Sequence, residues 1–219
     1  CWKQTFVYDR YGNRTFDTTA SRTTTIPTNC PAAVCNPTAN TDNRLKSTDG
    51  YTFDNAGNTT KDAELRKFTY DAENKQTKVE TTDANGTVIA TNGEYWYDGD
   101  GKRIKKKAYT NNVLTEETIF VYDASGKLVA EYSTNIEPVA TAKVAYLTND
   151  HLGSPRINTD RDGNITARHD YHPFGEEIAT SQRTAGLGYS NVTVRKQFTG
   201  YERDVESKLD FAEARMYNF

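Results

Sequence analysis

Tyr122-Asp123-Ala124-Ser125-Gly126-Lys127 decides the fold, because it places an aromatic residue, an aspartate and a glycine at the spacing of a tight β-hairpin turn. The aromatic residue ends one strand. The aspartate accepts hydrogen bonds from amides of its own turn, and the glycine takes a positive-φ conformation that a Cβ atom disfavours. The next strand then begins and continues to Tyr132.

The same turn motif recurs along the chain. Its aromatic, aspartate and glycine positions are Tyr8, Asp9 and Gly12; Phe53, Asp54 and Gly57; Tyr70 and Asp71, with Asn74 in place of the glycine; Tyr97, Asp98 and Gly101; and Tyr122, Asp123 and Gly126. Two related stretches, at 82–87 and 159–164, lack the aromatic residue. A hairpin that recurs at irregular spacing predicts a repeat architecture with variable loops. We therefore predict an all-β fold, in which a chain of antiparallel β-hairpins forms an extended, curved or spiralling sheet.

The composition favours thin sheets over a thick aliphatic core. Hydrophobic residues make up 35% of the 219 positions, and 14 tyrosines and 9 phenylalanines stand beside a single methionine. Aromatic side chains bury a large area and tyrosine keeps a polar tip, which suits a sheet with one wet face. Disorder is the alternative for so polar a chain, but aromatic and β-branched residues return regularly between the turn signals, which argues against it.

The charge distribution indicates neither a nucleic-acid partner nor a membrane span. The formal net charge is −3, from 27 basic and 30 acidic residues that are mixed along the chain. The sequence has no basic stripe and no run of about 18 apolar residues. The run Lys105-Lys106-Lys107 continues a strand, so we expect it on a solvated face or at a sheet edge rather than in a nucleic-acid patch.

Three stretches differ from the hairpin pattern. Residues 18–48 are rich in Thr, Asn and Pro, and they predict a long insertion between the first two hairpins. Shorter connections are expected at 137–142 and 180–189.

The insertion contains two of the three cysteines. Cys30 and Cys35 bound a short loop followed by Pro37, and an oxidising compartment would permit a disulfide between them. We expect that disulfide; the alternative is two free thiols in a surface loop. Cys1 is then the odd cysteine. A zinc site would need about four ligands, and neither a second cysteine pair nor a nearby histidine is present.

The residues that could support chemistry do not form a recognisable constellation. His169 and His172 stand three apart, so in a regular strand they would point to opposite faces and could not both bind one metal ion. Ser154 lacks the flanking glycines of a hydrolase nucleophile. Acidic oxygens two residues apart at 98–101 and 160–164 suggest calcium, but hairpin turns explain both stretches without it. We therefore expect no catalytic, cofactor-binding or metal-binding residues.

Three segments in the last third resemble one known family. Asp150-His151-Leu152-Gly153-Ser154-Pro155-Arg156 and the later Pro173-Phe174-Gly175 are similar to signatures of the Rhs repeat-associated core region. Residues 198–217 resemble the end of that region. With the hairpin motifs, the chain thus resembles YD-repeat (Rhs-type) proteins, which include C components of insecticidal toxin complexes and teneurins. The resemblance divides the chain into YD hairpins at 1–145 and a core-like segment at 146–219.

The resemblance implies a structural role and no enzymatic one. In this family, hairpins join edge to edge in a long sheet that spirals into a hollow shell, often around a toxic cargo. An autoprotease follows the core region in secreted toxins, and we expect the core-like segment here to be truncated before any autoproteolysis motif. We therefore expect a segment of an exported bacterial shell or surface fibre, secreted or on the cell surface, and not an enzyme.

Two other functions stay open. The segment could belong to the encapsulating or delivery arm of a polymorphic toxin, or it could be a glycan-binding module that uses exposed aromatic residues such as Trp96 and Tyr97. The expected partners are further repeats of the same long chain, or neighbouring copies, paired through sheet edges. An enclosed toxin cargo and glycans are the partners in the two alternatives.

Residues 205–217 carry a local conflict. Val205, Leu209, Ala212 and Met216 recur at the spacing of an amphipathic helix. The resemblance implies strands in this stretch, and we expect strands.

Overall fold

The computed structural model describes residues 3–17, 19, 31–135, 144–178 and 194–218. Of the residues in these ranges, 47% lie in strands and 6% in helices, and the strands pair antiparallel. The all-β prediction is therefore confirmed. The chain divides into two compact units, residues 1–92 and 93–219. The boundary between YD hairpins and core-like segment at 145/146 was predicted from sequence motifs, whereas these units are defined by compactness. That boundary therefore stays a prediction.

The first unit is built from short hairpins. Strands β1 (Phe6–Tyr8) and β2 (Arg14–Phe16) pair with each other. A four-residue helix, α1 (Ala32–Cys35), and a 3-10 turn (Ser47–Asp49) follow. The next four strands pair in chain order: β3 (Thr52–Phe53), β4 (Thr59–Lys61), β5 (Arg66–Tyr70) and β6 (Gln76–Thr82).

The described residues of the second unit form three antiparallel sheets. Four strands pair in chain order: β7 (Val88–Tyr97), which begins shortly before the unit boundary, β8 (Arg103–Thr110), β9 (Val113–Tyr122) and β10 (Leu128–Ser133). A second sheet consists of β11 (Tyr146–Asn149), β12 (Pro155–Thr159) and β13 (Ile165–Arg168). The third, after a 3-10 turn at Phe198–Gly200, consists of β14 (Glu202–Asp204), β15 (Leu209–Ala212) and β16 (Arg215–Tyr217).

The prediction for the lysine run 105–107 is wrong for its middle residue. Lys106 lies in a buried cross-strand row with Tyr95 and Thr118, and its side chain is only 5% exposed. Lys105 faces the other side of the sheet, where it pairs with Trp96. The physical reason is the two-residue period of a strand, which turns every second side chain inward even within a run of like charges.

The strand prediction for 205–217 is confirmed, since β15 and β16 occupy its second half. The apolar residues do not form one face, because Val205 is 78% exposed while Leu209 is buried. Lys208 and Glu213 adopt φ values of 54° and 57°, which a right-handed helix does not contain. Each of them lies in a turn next to a strand end.

Several predicted loops lie wholly or partly outside the described ranges. Residues 137–142 and 180–189 lie outside them entirely, and so do Cys1 and Cys30. The described part of the insertion contains α1 and a short hairpin closed by an Ala39–Leu45 bridge. No helix in the described ranges is long and apolar enough to cross a membrane.

Candidate functional site

The recurring motif folds into one hairpin turn with two backbone hydrogen bonds. In the turn that begins at Asp123, the Asp123 N–H donates to the Lys127 carbonyl at 2.9 Å, and the Gly126 N–H donates to the Asp123 carbonyl at 2.9 Å. The Asp123 carboxylate accepts from the N–H groups of Ser125 and Lys127 at 2.9 and 3.0 Å. Gly126 takes a φ of 78°, as a type I turn followed by a bulge requires. The chemistry of the turn is therefore local to five residues.

The same pair of backbone hydrogen bonds closes twelve turns within the described ranges. Their first residues are Asp9, Asn40, Asp54, Asp62, Asp71, Asp83, Asp98, Asp123, Asp150, Asp160, His172 and Gln197. In each of them the residue three positions later has a positive φ. The core-like segment thus uses the same turn as the hairpins, and Asp150, His151, Leu152, Gly153 and Ser154 form one copy.

Five of these turns were missed by the sequence analysis: those that begin at Asn40, Asp62, Asp150, His172 and Gln197. The turn at Asp150 has both the aspartate and the glycine of the motif, but it was assigned only to the core signature. The turns at Asn40 and Asp62 place Asn43 and Leu65 at the positive-φ position, where the motif has glycine. The turns that begin at His172 and Gln197 lack the aspartate. Gly175 and Gly200, three residues after His172 and Gln197, could have revealed these two turns. The sequence analysis required an aspartate at the first position and therefore did not predict them.

The turn carboxylates are stabilised as anions. The pKa values of Asp9, Asp54 and Asp160 are lowered, chiefly because each accepts a hydrogen bond from the side-chain amide of the asparagine four residues later. The pKa of Asp123 is lowered by the hydroxyl of the serine two residues later. For Asp150, burial raises the pKa, but backbone N–H donors outweigh it and the net shift is downward.

Neighbouring turns of the first unit contact one another through a repeated relationship. The Asn13 amide donates to the Asn43 side-chain oxygen at 2.6 Å, and the Asn58 amide donates to Asn74 at 2.8 Å. In both pairs the last residue of one turn meets the positive-φ residue of another. Gly57 is the positive-φ residue of the turn at Asp54. A Cβ added to it would lie 3.8 Å from the guanidinium of Arg44, the last residue of the turn at Asn40.

The second unit repeats this relationship. A Cβ at Gly126 would lie 3.3 Å from Cε of Lys102, the last residue of the turn at Asp98. The aromatic residue of the motif adds a second link, because the Tyr122 hydroxyl donates to the Arg103 carbonyl at 2.9 Å. In the first unit, the Tyr70 hydroxyl donates to the Thr59 carbonyl at the same distance. The motif therefore joins successive hairpins as well as closing each turn.

Five charged side chains form a buried ionic cluster in the second unit: Arg103, Lys106, Glu202, Asp204 and Glu206. The Arg103 guanidinium donates to both Asp204 carboxylate oxygens, at 2.5 and 3.1 Å, and lies 2.9 Å from Glu202. The Lys106 ammonium lies 3.0 Å from Asp204, 3.1 Å from Glu202 and 3.7 Å from Glu206. Each of the five side chains is at most 9% exposed.

A β-bulge brings the two cations of the cluster together. Residues three apart on a regular strand point to opposite faces. The register shifts between Trp96 and Tyr97 opposite β8, so that Ile104 is the extra residue and both Arg103 and Lys106 face inward. Aromatic rings enclose the guanidinium, and its central carbon lies 4.0 Å from the ring centroid of Phe211.

Burial and neighbouring charges shift the pKa values of the cluster. Burial alone lowers the pKa values of Arg103 and Lys106, but the carboxylates beside them outweigh it and both are raised. Burial raises the pKa of Glu202, but the two cations outweigh it and the net shift is downward. Burial and the charge of Asp204 raise the pKa of Glu206 to about 7. Two cations thus balance two carboxylates, and Glu206 is the member that holds a proton near neutrality.

The core signatures contact one another. Ser154 is fully buried, and its hydroxyl accepts a hydrogen bond from the Thr199 N–H at 3.0 Å. The Arg203 guanidinium donates to the Gly175 carbonyl at 3.2 Å, and the Tyr217 hydroxyl donates to the Phe174 carbonyl at 2.8 Å. The three signature segments therefore form one packed substructure.

The other signature residues have positions that fit packing. Arg156 lies on β12 and pairs with Asp170 at 2.8 Å, next to the buried Pro155. Pro173 lies in the turn that begins at His172. His169 is buried against Glu177 at 2.8 Å. Within the described ranges, no group of three or more His, Cys, Asp or Glu side chains is placed to hold a metal ion.

Trp96 and Tyr97 do not form a common platform for a sugar. Tyr97 faces the cluster and packs against Phe211 with 6.2 Å between ring centroids. Trp96 lies on the opposite face, where the ammonium groups of Lys105 and Lys107 lie 4.9 and 5.7 Å from its ring centroid. A glycan could therefore contact only one of the two rings from either face.

Comparisons with known proteins find a similarity in sequence to a bacterial nuclease and a similarity in fold to Tc toxin structures. No protein-family model matches the chain. The chain is 28% identical over 227 residues to the tRNA3(Ser)-specific nuclease WapA of Bacillus spizizenii, and the match covers 97% of this chain but 9% of the nuclease.

Solved structures of Tc toxin assemblies share the fold. The match to a Photorhabdus luminescens Tc holotoxin pore with mutated TccC3 covers 98% of this chain and 11% of the matched chain, at 20% identity and a TM-score of 0.62. A TcdB2–TccC3–Cdc42 structure matches 98% and 12%, at 19% identity and a TM-score of 0.64. The chain thus shares the β fold of these structures and spans about a tenth of each protein that it matches.

Proposed function

We propose that this chain is a structural wall segment of a larger, exported bacterial YD-repeat protein. The buried ionic cluster is the observation that carries the proposal. It fixes residues 202–206 of the core-like segment against β8 through charges that satisfy one another. The Tyr95 hydroxyl on β7 also donates a hydrogen bond to Glu206 at 3.1 Å. Such a site holds two parts of a chain in one register.

The energetics of buried charges support a role in register. A buried ion cluster contributes little net stability compared with apolar side chains of the same size, because removing each charge from water costs several kcal/mol. It strongly disfavours every arrangement in which a charge is buried without its partner. For this chain we infer that the cluster selects one alignment of the core-like segment on the hairpins.

The linked turns support a repeating wall. The last residue of one turn meets the positive-φ residue of another, as in Asn13–Asn43 and Asn58–Asn74. Contacts between nearest neighbours are the means by which repeat proteins build extended structures from short units. The chain would add its hairpins to those of a longer polypeptide in the same way.

Enclosure or delivery of a toxin is the second candidate, and the comparisons favour it. The matched structures are Tc toxin assemblies, and the matched sequence is named a nuclease. Because this chain corresponds to 9% of that nuclease, we propose that it corresponds to a non-catalytic portion. The chain would then be part of the wall, and any toxic activity would lie in another part of the longer protein.

Limited proteolysis of the longer protein that contains this segment tests the wall. With Arg103→Met, we expect the rest of the protein to be cut faster, because the core-like segment is no longer fixed. Lys127→Met, an exposed substitution in the neighbouring turn, should leave the pattern unchanged. Equal cutting of both variants would contradict the proposal. A separate assay of the 219-residue chain with tRNA should show no cleavage, and cleavage by the pure chain would overturn the non-catalytic assignment.

A further inference from the structure

A pocket of about 330 Å³ opens among four turns of the second unit. The turns that begin at Asp98, Asp123 and Gln197 border it, together with the turn between β15 and β16. We call it the turn pocket. Its volume lies at the lower end of the range for small-molecule sites, so it suits a ligand about the size of one substituted ring.

Aromatic side chains form the apolar part of the turn pocket. Phe120, Tyr122 and Phe211 line it, and Tyr201 stands at the same site. These rings are held in place from behind, because Phe211 packs on the Arg103 guanidinium and the Tyr122 hydroxyl donates to the Arg103 carbonyl. Flat, fixed apolar walls favour a flat apolar ligand, since little side-chain freedom is lost on binding.

The remaining lining residues carry an excess of positive charge. Lys102 lies 3.8 Å from Glu213, and Glu202 is neutralised by Arg103 and Lys106. Lys127 and Lys196 also line the pocket, and both are exposed. Neither of them has an ion pair within the described part of the chain. The pocket therefore has two uncompensated cations next to aromatic walls.

We propose that the turn pocket binds an aryl carboxylate, with its ring among the aromatic side chains and its carboxylate at Lys127 and Lys196. A carboxylate is attracted by two exposed ammonium groups, whereas a cation of the same shape is repelled. The same chemistry occurs in a free aromatic acid and at a polypeptide C-terminus that ends in an aromatic residue. This proposal does not depend on the wall function, and either could fail without the other.

Fluorine NMR titration of the 219-residue chain tests the ligand class. The probes are 4-fluorophenylacetate, its neutral amide, and an acetyl-glycyl peptide ending in 4-fluorophenylalanine. We expect the acid to bind about five- to tenfold more tightly than the amide, because two exposed charges each contribute modestly. Tighter binding of the peptide than of the acid would support a polypeptide C-terminus as the source, and the reverse order a free acid. Equal dissociation constants for acid and amide would overturn the proposal.

Variants locate the binding. Lys127→Gln with Lys196→Gln should reduce the preference for the acid to about twofold or less, since both cations are lost. Lys75→Gln is the matched control, because Lys75 is the last residue of the turn at Asp71, outside the pocket. Leu128→Trp should weaken all probes by occupying the pocket. An unchanged preference in the double variant, or unchanged binding to Leu128→Trp, would place the ligand elsewhere and overturn the assignment.

Discussion

Arg103 and Asp204, which stand 101 residues apart in the sequence, form a bidentate ion pair whose side chains are 1% and 0% exposed. The pair joins the first residue of β8 to the last residue of β14. It is the centre of the buried ionic cluster, and Lys106, Glu202 and Glu206 complete the cluster around it. The contact between hairpins and core-like segment therefore depends on charges that are withdrawn from water together.

Removal of the central cation should destabilise the second unit strongly. Arg103→Met leaves Lys106 as the one cation of the cluster for both Asp204 and Glu202, with Arg195 3.8 Å from Glu202 at the edge of the cluster. We expect the free energy of unfolding to fall by about 3–5 kcal/mol, the usual cost of an uncompensated buried charge. Urea denaturation followed by tyrosine and tryptophan fluorescence measures it.

A double-mutant cycle separates the ion pair from general disruption. Lys127→Met is the control for loss of an exposed charge and should change stability by about 0.5 kcal/mol or less. Arg103→Met combined with Asp204→Asn should cost clearly less than the sum of the two single variants, because each single variant strands a charge that the other removes. Additive losses would show that the two side chains are not coupled.

Glu206 should make stability depend on pH near neutrality. Its pKa is raised from 4.5 to about 7 in the fold, so the folded state holds a proton that the unfolded state releases. A raised carboxyl pKa contributes stability that is fully present below about pH 4.5 and is lost as the pH rises to about 7. The loss should be on the order of 2–3 kcal/mol.

Glu206→Gln should remove most of that slope, since an amide does not titrate. Glu213→Gln, an exposed substitution in the turn between β15 and β16, should retain it. Denaturation midpoints measured between pH 4.5 and 7.5 make the comparison. Equal slopes in the two variants would show that another group is responsible.

Relief of a strained turn should stabilise the first unit. Leu65 takes a φ of 62°, which costs a residue with a Cβ about 1–2 kcal/mol, and its side chain is 36% exposed. Asparagine tolerates this conformation, so Leu65→Asn should raise the free energy of unfolding by about 1 kcal/mol. Leu65→Ala keeps the strain and should show no gain. A gain in alanine equal to that in asparagine would point to a cause other than the backbone.

Protonation of the Asp123 carboxylate should be visible at the two amides that donate to it, those of Ser125 and Lys127. The pKa of Asp123 is lowered, first by the Ser125 hydroxyl, so the turn is fully stabilised above about pH 3.8 and loses this contribution as the pH falls through the lowered value. NMR shifts of the Ser125 and Lys127 amides should therefore share a midpoint below 3.8. Asp123→Asn should abolish the titration and keep the turn, whereas Asp123→Ala should also speed amide exchange there. A midpoint at or above 3.8 would contradict the carboxylate bonds.

The cysteine pairing stays a prediction with a direct test. Cys35 is disulfide-bonded, and Cys30 is its predicted partner. Mass spectrometry of the unreduced, alkylated chain should find positions 30 and 35 linked and two hydrogens lighter than the reduced form. Cys1→Ser should not change this result. Linkage of Cys35 to Cys1, or alkylation of both Cys30 and Cys35, would refute the pairing.

The sequence by itself determined the turns and hence the all-β class. An aspartate that accepts from amides two and four residues later, and a glycine at positive φ, act within five residues, so their chemistry is visible without the rest of the fold. The same rule missed the turn at Asp62, where Leu65 occupies the positive-φ position. There the pairing of β4 and β5 imposes a conformation that the residue itself disfavours.

Only the tertiary structure decided which charges are buried. Lys106 belongs to a lysine run that is typical of a solvated strand, and its carboxylate partners lie about a hundred residues away. The bulge at Ile104, which sets Arg103 and Lys106 on one face, depends on the register with β7. A buried charge is tolerated only where its counter-charges are also buried. Their position is a property of how distant segments pack, and no local pattern specifies it.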